Sequence, residues 1–179
     1  MSGEDPIVAT RRWLERAVIG LNLCPFAKAV YVKQQVRFVV SEASTPEALR
    51  EELASELALL AATEPEQTDT TLLIHPRVLG DFLDYNDFLD QADSVIAFLG
   101  LEGHIQIASF HPQYQFAGTG ADDVGNCSNR SPYPMLHLLR EASVERAVAA
   151  FPDPEVIVER NIATLEKLGI EGWRKLMEP

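Results

Sequence analysis

At 179 residues, 46% hydrophobic and 23% charged, the chain has the size and composition of one globular domain spanning residues 1–179, and it falls outside the disordered and disulfide-stapled classes. A formal net charge of −12, from 27 acidic and 15 basic residues with no basic stripe, argues against nucleic acid or an anionic membrane as partner, because a phosphate-rich surface is repelled. No apolar run approaches the ~18 residues of a membrane span, and the acidic start Met1-Ser2-Gly3-Glu4-Asp5 lacks the basic and apolar regions of a signal peptide, so a bacterial-type cytoplasmic address is expected.

In chain order, Asp5-Pro6 reads as an N-cap followed by proline at the first helical position. Val8, Trp13, Leu14, Ala17, Val18 and Leu21 then recur near helical spacing, which predicts an amphipathic helix to about Gly20. A short second helix is expected from Pro25. Residues 36–42 are β-branched and aromatic enough for a strand. Ser44-Thr45-Pro46-Glu47 signals a helix start, with leucines 49, 53, 57 and 60 facing inward to about Ala62. After a polar loop, Thr70–Ile74 is a buried-type strand ended by His75-Pro76. Residues 81–99 are helical in period, Gly100 and Gly103 close that element, and residues 104–110 form a third strand, ended by His111-Pro112. A non-periodic stretch from Gln113 to about Pro132 is long for a structureless loop, which points to function or mobility. Helices are expected at about 133–150 and 153–168, with a short terminal turn carrying Trp173.

This order predicts an α/β fold: a small, largely parallel three-stranded βαβαβ sheet flanked by helices on both faces. The competing architecture is a ferredoxin-like sheet with an extra hairpin near Ala29–Val40.

The chemistry-bearing residues gather around the strand ends. Leu72-Leu73-Ile74-His75-Pro76 and Ala108-Ser109-Phe110-His111-Pro112 repeat one idea, an apolar strand followed by His-Pro. In open parallel sheets ligands bind outside the carboxyl ends of the strands. Two imidazoles at one edge can serve as acid, base, metal ligand or anion donor, whereas the bland alternative is strand capping. The donor-rich segment with Asn126, Asn129, Arg130 and Ser131, read as opening a helix, is a candidate anion site. The alternative is an elaborate cap in which Arg130 pairs with Asp122 or Asp123. His137 and Glu141, at i and i+4 of the expected helix, suggest an oriented imidazole or a buried polar pair, and Arg140 lies beside them. Cys24, just before Pro25 and one turn from Lys28, is placed where a helix dipole lowers a thiol's pKa. A buried structural cysteine is the plainer reading, because Ala27 stands where a CxxC motif needs its second cysteine.

The stretches Gly20-Leu21-Asn22-Leu23-Cys24-Pro25-Phe26-Ala27-Lys28, Tyr85-Asn86-Asp87-Phe88-Leu89, Ala108-Ser109-Phe110-His111-Pro112 and Asn129-Arg130-Ser131-Pro132-Tyr133-Pro134, with His137-Leu138-Leu139-Arg140-Glu141 after them, resemble a bacterial family catalogued as domain of unknown function 1415. The resemblance runs over nearly the whole chain and implies a single-domain bacterial protein of about this length. It implies no reaction, cofactor or catalytic residue, and the family pattern usually has no cysteine at position 127.

Three functions compete. The first is a small-molecule enzyme or ligand-binding protein taking a carboxylate or phosphate at the strand carboxyl ends, with His111 and His75 as reactive groups and Asn126, Asn129, Arg130, Ser131, His137 and Arg140 binding the ligand. Its metal-dependent variant would add Cys24, His137 or Asp122 as a third ligand. The second is redox or transferase chemistry at the Cys24 thiol. The third is a protein-interaction module anchored by Phe110, Tyr114, Phe116 and Tyr133. The sequence names no cofactor and no oligomeric state.

Overall fold

The computed structural model describes residues 3–151 and 153–179; Met1 and Ser2 of the acidic N-terminus lie outside the described residues. Helix α1 (Pro6–Trp13) starts as its sequence dictates, with the Asp5 carboxylate accepting from the Ile7 N–H at 2.8 Å and Pro6 in the first turn. It continues as a π-helical stretch, Leu14–Ile19, up to Gly20. A Cβ on Gly20 would lie 2.3 Å from the Arg16 carbonyl oxygen, so only glycine fits there. Helix α2 is Ala27–Val32 with Phe26 at its N-cap. It therefore begins two residues after Pro25, and Cys24 does not occupy the cap.

Strand β1 (Val36–Val40) leads to α3 (Pro46–Ala62), where Thr45 Oγ1 accepts from the Ala48 N–H. Leu49, Leu53, Leu57 and Leu60 are all buried, each stabilising the fold by roughly 1.5–3 kcal/mol relative to exposure. Strand β2 (Thr70–Ile74) is buried throughout. Helix α4 (Phe82–Phe98), capped by Asp81, precedes β3 (Ile105–Phe110). One 3-10 stretch, Val124–Asn129, interrupts the following loop before β4 (Met135–Arg140), α5 (Glu141–Ala150) and α6 (Pro154–Met177). Where a terminal turn was expected, α6 runs on to Met177 across a kink at Gly169, whose φ of 71° places it in the left-handed region.

The sheet departs from expectation. It has four strands in the order β1-β2-β4-β3, with β1 parallel to β2 and β4 antiparallel to both its neighbours. The three-stranded parallel βαβαβ arrangement is thereby overturned. The ferredoxin-like alternative loses its hairpin, because Ala29–Val32 is helical. β1, β2 and β3 do run in one direction, but the β2-α4-β3 crossover skips a strand position and β4 fills the gap. The helix expected over residues 133–150 is correct only from Glu141 onward. Met135-Leu136-His137-Leu138-Leu139-Arg140 is built of good helix formers, yet two flanking strands with unpaired backbone groups draw it into the sheet.

Each face of the sheet carries its own core. On one side, α3 and α4 cover Val39, Leu73, Ile107, Leu136 and Leu138. On the other, α1, its π-helical continuation and α6 cover Phe38, Leu72, Ile74, Phe110 and Met135, with Trp13 and Trp173 between the layers. The alternation of neighbouring residues to opposite faces sends His137 to this second side, where it is registered between Leu72 of β2 and Ala108 of β3.

Candidate functional site

His75 and His111 do emerge at one edge of the sheet, after the parallel ends of β2 and β3, and α4 inserts Tyr85 between them. The Tyr85 ring stacks on His75 at a centroid distance of 5.8 Å and lies 5.0 Å from His111. Its hydroxyl donates to the Met135 carbonyl at 2.7 Å and accepts from the Phe110 N–H at 3.0 Å, joining the start of β4 to the end of β3. Burial raises the Tyr85 pKa, so the phenol stays a donor.

Both imidazoles are buried. His111 donates from Nε2 to the Leu79 carbonyl and accepts at Nδ1 from the Gln113 N–H, each at 3.0 Å. Its two nitrogens are therefore occupied by main chain in a single neutral tautomer, and burial lowers its pKa. His75 donates from Nδ1 to the Val78 carbonyl at 3.0 Å, and its Nε2 lone pair is buried without a partner. Burial foremost, with His111 nearby, lowers the His75 pKa to about 4.

The polar segment that follows β3 is bonded to itself. Buried Asn126 accepts from the Phe116 N–H and the Thr119 hydroxyl and donates to the Gly120 carbonyl. Arg130 donates to the carbonyls of Tyr114 and Ala121, at 3.1 and 2.8 Å, and not to Asp122 or Asp123. Asn129 donates to the Ser109 carbonyl, and Ser131 to that of Tyr133. These groups hold a loop in one conformation, and the segment leads into a strand, so the helix N-terminus expected to bind an anion there does not exist. Arg140 is at the opposite end of the sheet, donating to the carbonyls of Thr63 and Thr68 at 2.6 and 2.7 Å. Cys127 is buried in the second core, and desolvation pushes its thiol pKa up. No group of three His, Cys, Asp or Glu side chains is arranged for a metal ion among the described residues.

The site that sequence reasoning missed lies across the second face of the sheet. A cavity of about 520 Å³ opens there, within the roughly 300–1,000 Å³ range of small-molecule sites. Its floor is Val36, Thr70, Leu72, Ala108, His137 and Leu139, one or two residues from each strand. Trp13, Leu14 and Val18 wall it on one side, Phe26, Ala27 and Val30 of the α2 region on another, and Val144, Ala147 and Val148 of α5 on a third. Neither α2 nor α5 has a single buried residue, so both are held only lightly against the body. Cys24 is part of the same wall.

His137 is the polar centre of that floor. It does not pair with Glu141, because a strand rather than a helix carries it. The Thr70 hydroxyl donates its one proton to the Leu138 carbonyl at 2.7 Å, so at the 2.6 Å contact with His137 it must accept, and Nε2 carries the hydrogen. Nδ1 then keeps a lone pair with no protein partner, on a residue lining the cavity. Desolvation lowers this imidazole's pKa to about 4, and it stays neutral at ordinary pH. The arrangement presents one oriented hydrogen-bond acceptor in an apolar room. The small side chain of Ala108 amid β-branched and aromatic strand residues was the one local hint that space lies above it.

Taken together, the fold and the cavity define an α/β protein with a mixed four-stranded sheet and an apolar chamber between one sheet face and its covering helices. The chain belongs to the family described as "Protein of unknown function (DUF1415)", which it matches over residues 5–175. No curated protein and no solved structure matches it.

Proposed function

We propose that this protein binds a small, largely apolar molecule in the sheet-face cavity, with a hydroxyl or N–H group of that molecule donating to His137 Nδ1. The observation that carries the reading is the fixed tautomer: Thr70 holds the Nε2 hydrogen and leaves a single acceptor on an otherwise apolar floor. Apolar pockets with a few placed polar groups are the usual form of small-molecule sites, the apolar surface supplying affinity and the polar group orientation. A neutral imidazole with a pKa near 4 is a weak base but a sound acceptor. His137 is thus the group that orients the ligand, and Cys24 lines the wall of the same cavity. The acidic charge of the chain supports a protein without a nucleic-acid partner. No helix among the described residues is long and apolar enough to cross a membrane.

The test is binding of Nile red, a neutral apolar dye, to the wild type and to Ala108→Phe, which fills the floor without removing a hydrogen bond. Wild-type fluorescence should rise saturably, and the variant, folded by circular dichroism, should lose at least about tenfold in affinity, since the ring takes apolar contact area from the dye. Equal binding by both proteins would remove the cavity from consideration.

A further inference from the structure

We infer that the molecule taken up by this cavity is an amphipathic anion, with its apolar body inside and its acidic head held at the mouth by Lys33 and Arg146. The inference rests on the cavity reading above and adds the chemical class of the ligand.

The charged residues of the lining are Lys33, Asp69 and Arg146. Over the whole chain acidic residues outnumber basic ones 27 to 15; around this opening the ratio is reversed. Lys33 and Arg146 are both exposed, so they stand at the rim, whereas His137 lies on the floor in the middle of the sheet. Neither cation has a carboxylate within ion-pair distance among the described residues. Asp69, the one acid of the rim, is already engaged, accepting from the Ser143 hydroxyl at 2.7 Å, and Arg146 donates to that same hydroxyl at 3.2 Å. The bond to Ser143 uses one N–H of the guanidinium, and its other N–H groups make no hydrogen bond among the described residues, which leaves them for a ligand oxygen.

The two cations come from different elements. Lys33 follows the last turn of α2, and Arg146 is in the middle of α5. An anion bound by both would add a second link between α2 and α5, whose capping residues Phe26 and Phe151 already pack edge to face at 6.3 Å. The global charge of −12 does not oppose this strongly, because charges beyond the Debye length of about 8 Å are screened at physiological salt while the rim pair acts at contact. A neutral oil would gain nothing from either exposed cation, and a cationic amphiphile would be repelled by them.

Displacement of Nile red by decanoate, decanol and decylamine, three ligands with one chain and three heads, separates these possibilities. Decanoate should compete best, by about tenfold over decanol, as expected for one charge-assisted contact, and its advantage should shrink as salt is raised. In the double variant Lys33→Gln, Arg146→Gln the advantage should vanish while Nile red and decanol bind as before. Equal competition by decanoate and decanol in the wild type would overturn the inference and leave the cavity reading standing, as would an advantage that survives in the double variant. Failure of Nile red itself to bind would remove the cavity reading and this inference with it.

Discussion

Two imidazole sites on the same sheet behave in opposite ways. At the parallel strand ends, His111 has both nitrogens bonded to main chain and His75 is sealed beneath Tyr85. On the sheet face, His137 is held through one nitrogen only and meets a chamber with the other. The first pair ties strand ends to the loops that follow them, and the one nitrogen it leaves unbonded, Nε2 of His75, is shut inside the core; the third has its unbonded nitrogen on a residue that lines the chamber. What separates a structural from a ligand-facing histidine here is therefore not its location relative to strand ends but whether the nitrogen left over is sealed in the core, as in His75, or belongs to a residue that lines a cavity, as in His137.

The contrast can be broken most forcefully with acid. In the unfolded chain His75 and His137 take up protons near the ordinary value of ~6.5, whereas in the fold both stay neutral down to about 4. Between those limits the unfolded state binds more protons, so stability falls as pH drops through the window and is unaffected by these groups above it. The full loss is about 3 kcal/mol per imidazole. Urea titrations from pH 7 to 4 should show it, and His75→Asn, which keeps a donor near the Val78 carbonyl, should flatten the slope by about one proton. An unchanged slope would mean that His75 is protonated in the fold.

Next in size is Tyr85→Phe, which leaves the Met135 carbonyl and the Phe110 N–H without their buried partner. It should cost roughly 2–4 kcal/mol in denaturant unfolding and leave Nile red affinity unchanged, since Tyr85 belongs to the core on the other face of the sheet and does not line the chamber. Smallest is His137→Phe. Thr70 keeps its bond to the Leu138 carbonyl, so stability should move by no more than about 1 kcal/mol, while ω-hydroxydecanoate, with its carboxylate at the mouth and its hydroxyl donating to Nδ1, should bind about fivefold more weakly. A stability loss as large as that of Tyr85→Phe would put His137 in the structural class with His75 and His111.

Much of the local structure was legible. Caps at Asp5 and Thr45, the inward leucines of α3 and the first three strands follow from residue type and period. β4 was not, because a strand covered by helices on both faces loses the alternation that marks a half-exposed one, and Met135–Arg140 runs without a breaker into the helical Glu141–Ala150. That one misreading propagated: it paired His137 with Glu141 instead of Thr70, 67 positions away in sequence, and gave the Asn126–Pro134 segment a helix to open. The shared edge of His75 and His111 was legible, but the bonds that occupy three of their four nitrogens depend on the Leu79, Val78 and Gln113 main chain and leave no trace in the His-Pro pattern. The chamber is written in no motif at all. Its walls are ordinary valines, leucines and alanines whose meeting depends on register and on helices that stop short of closing over them.

The placement of β4 also governs the order in which the molecule can be completed. β1, β2 and β3 are synthesised first, but β2 and β3 share no ladder with each other; each bonds to the strand that comes later. Until Met135–Arg140 has left the ribosome, two strand edges stay open with their amide and carbonyl groups facing solvent, as templates for mispairing. Sheet closure is thus a late, long-range event in biogenesis, and a pause in translation before that segment would prolong the interval in which the nascent chain is most exposed to association.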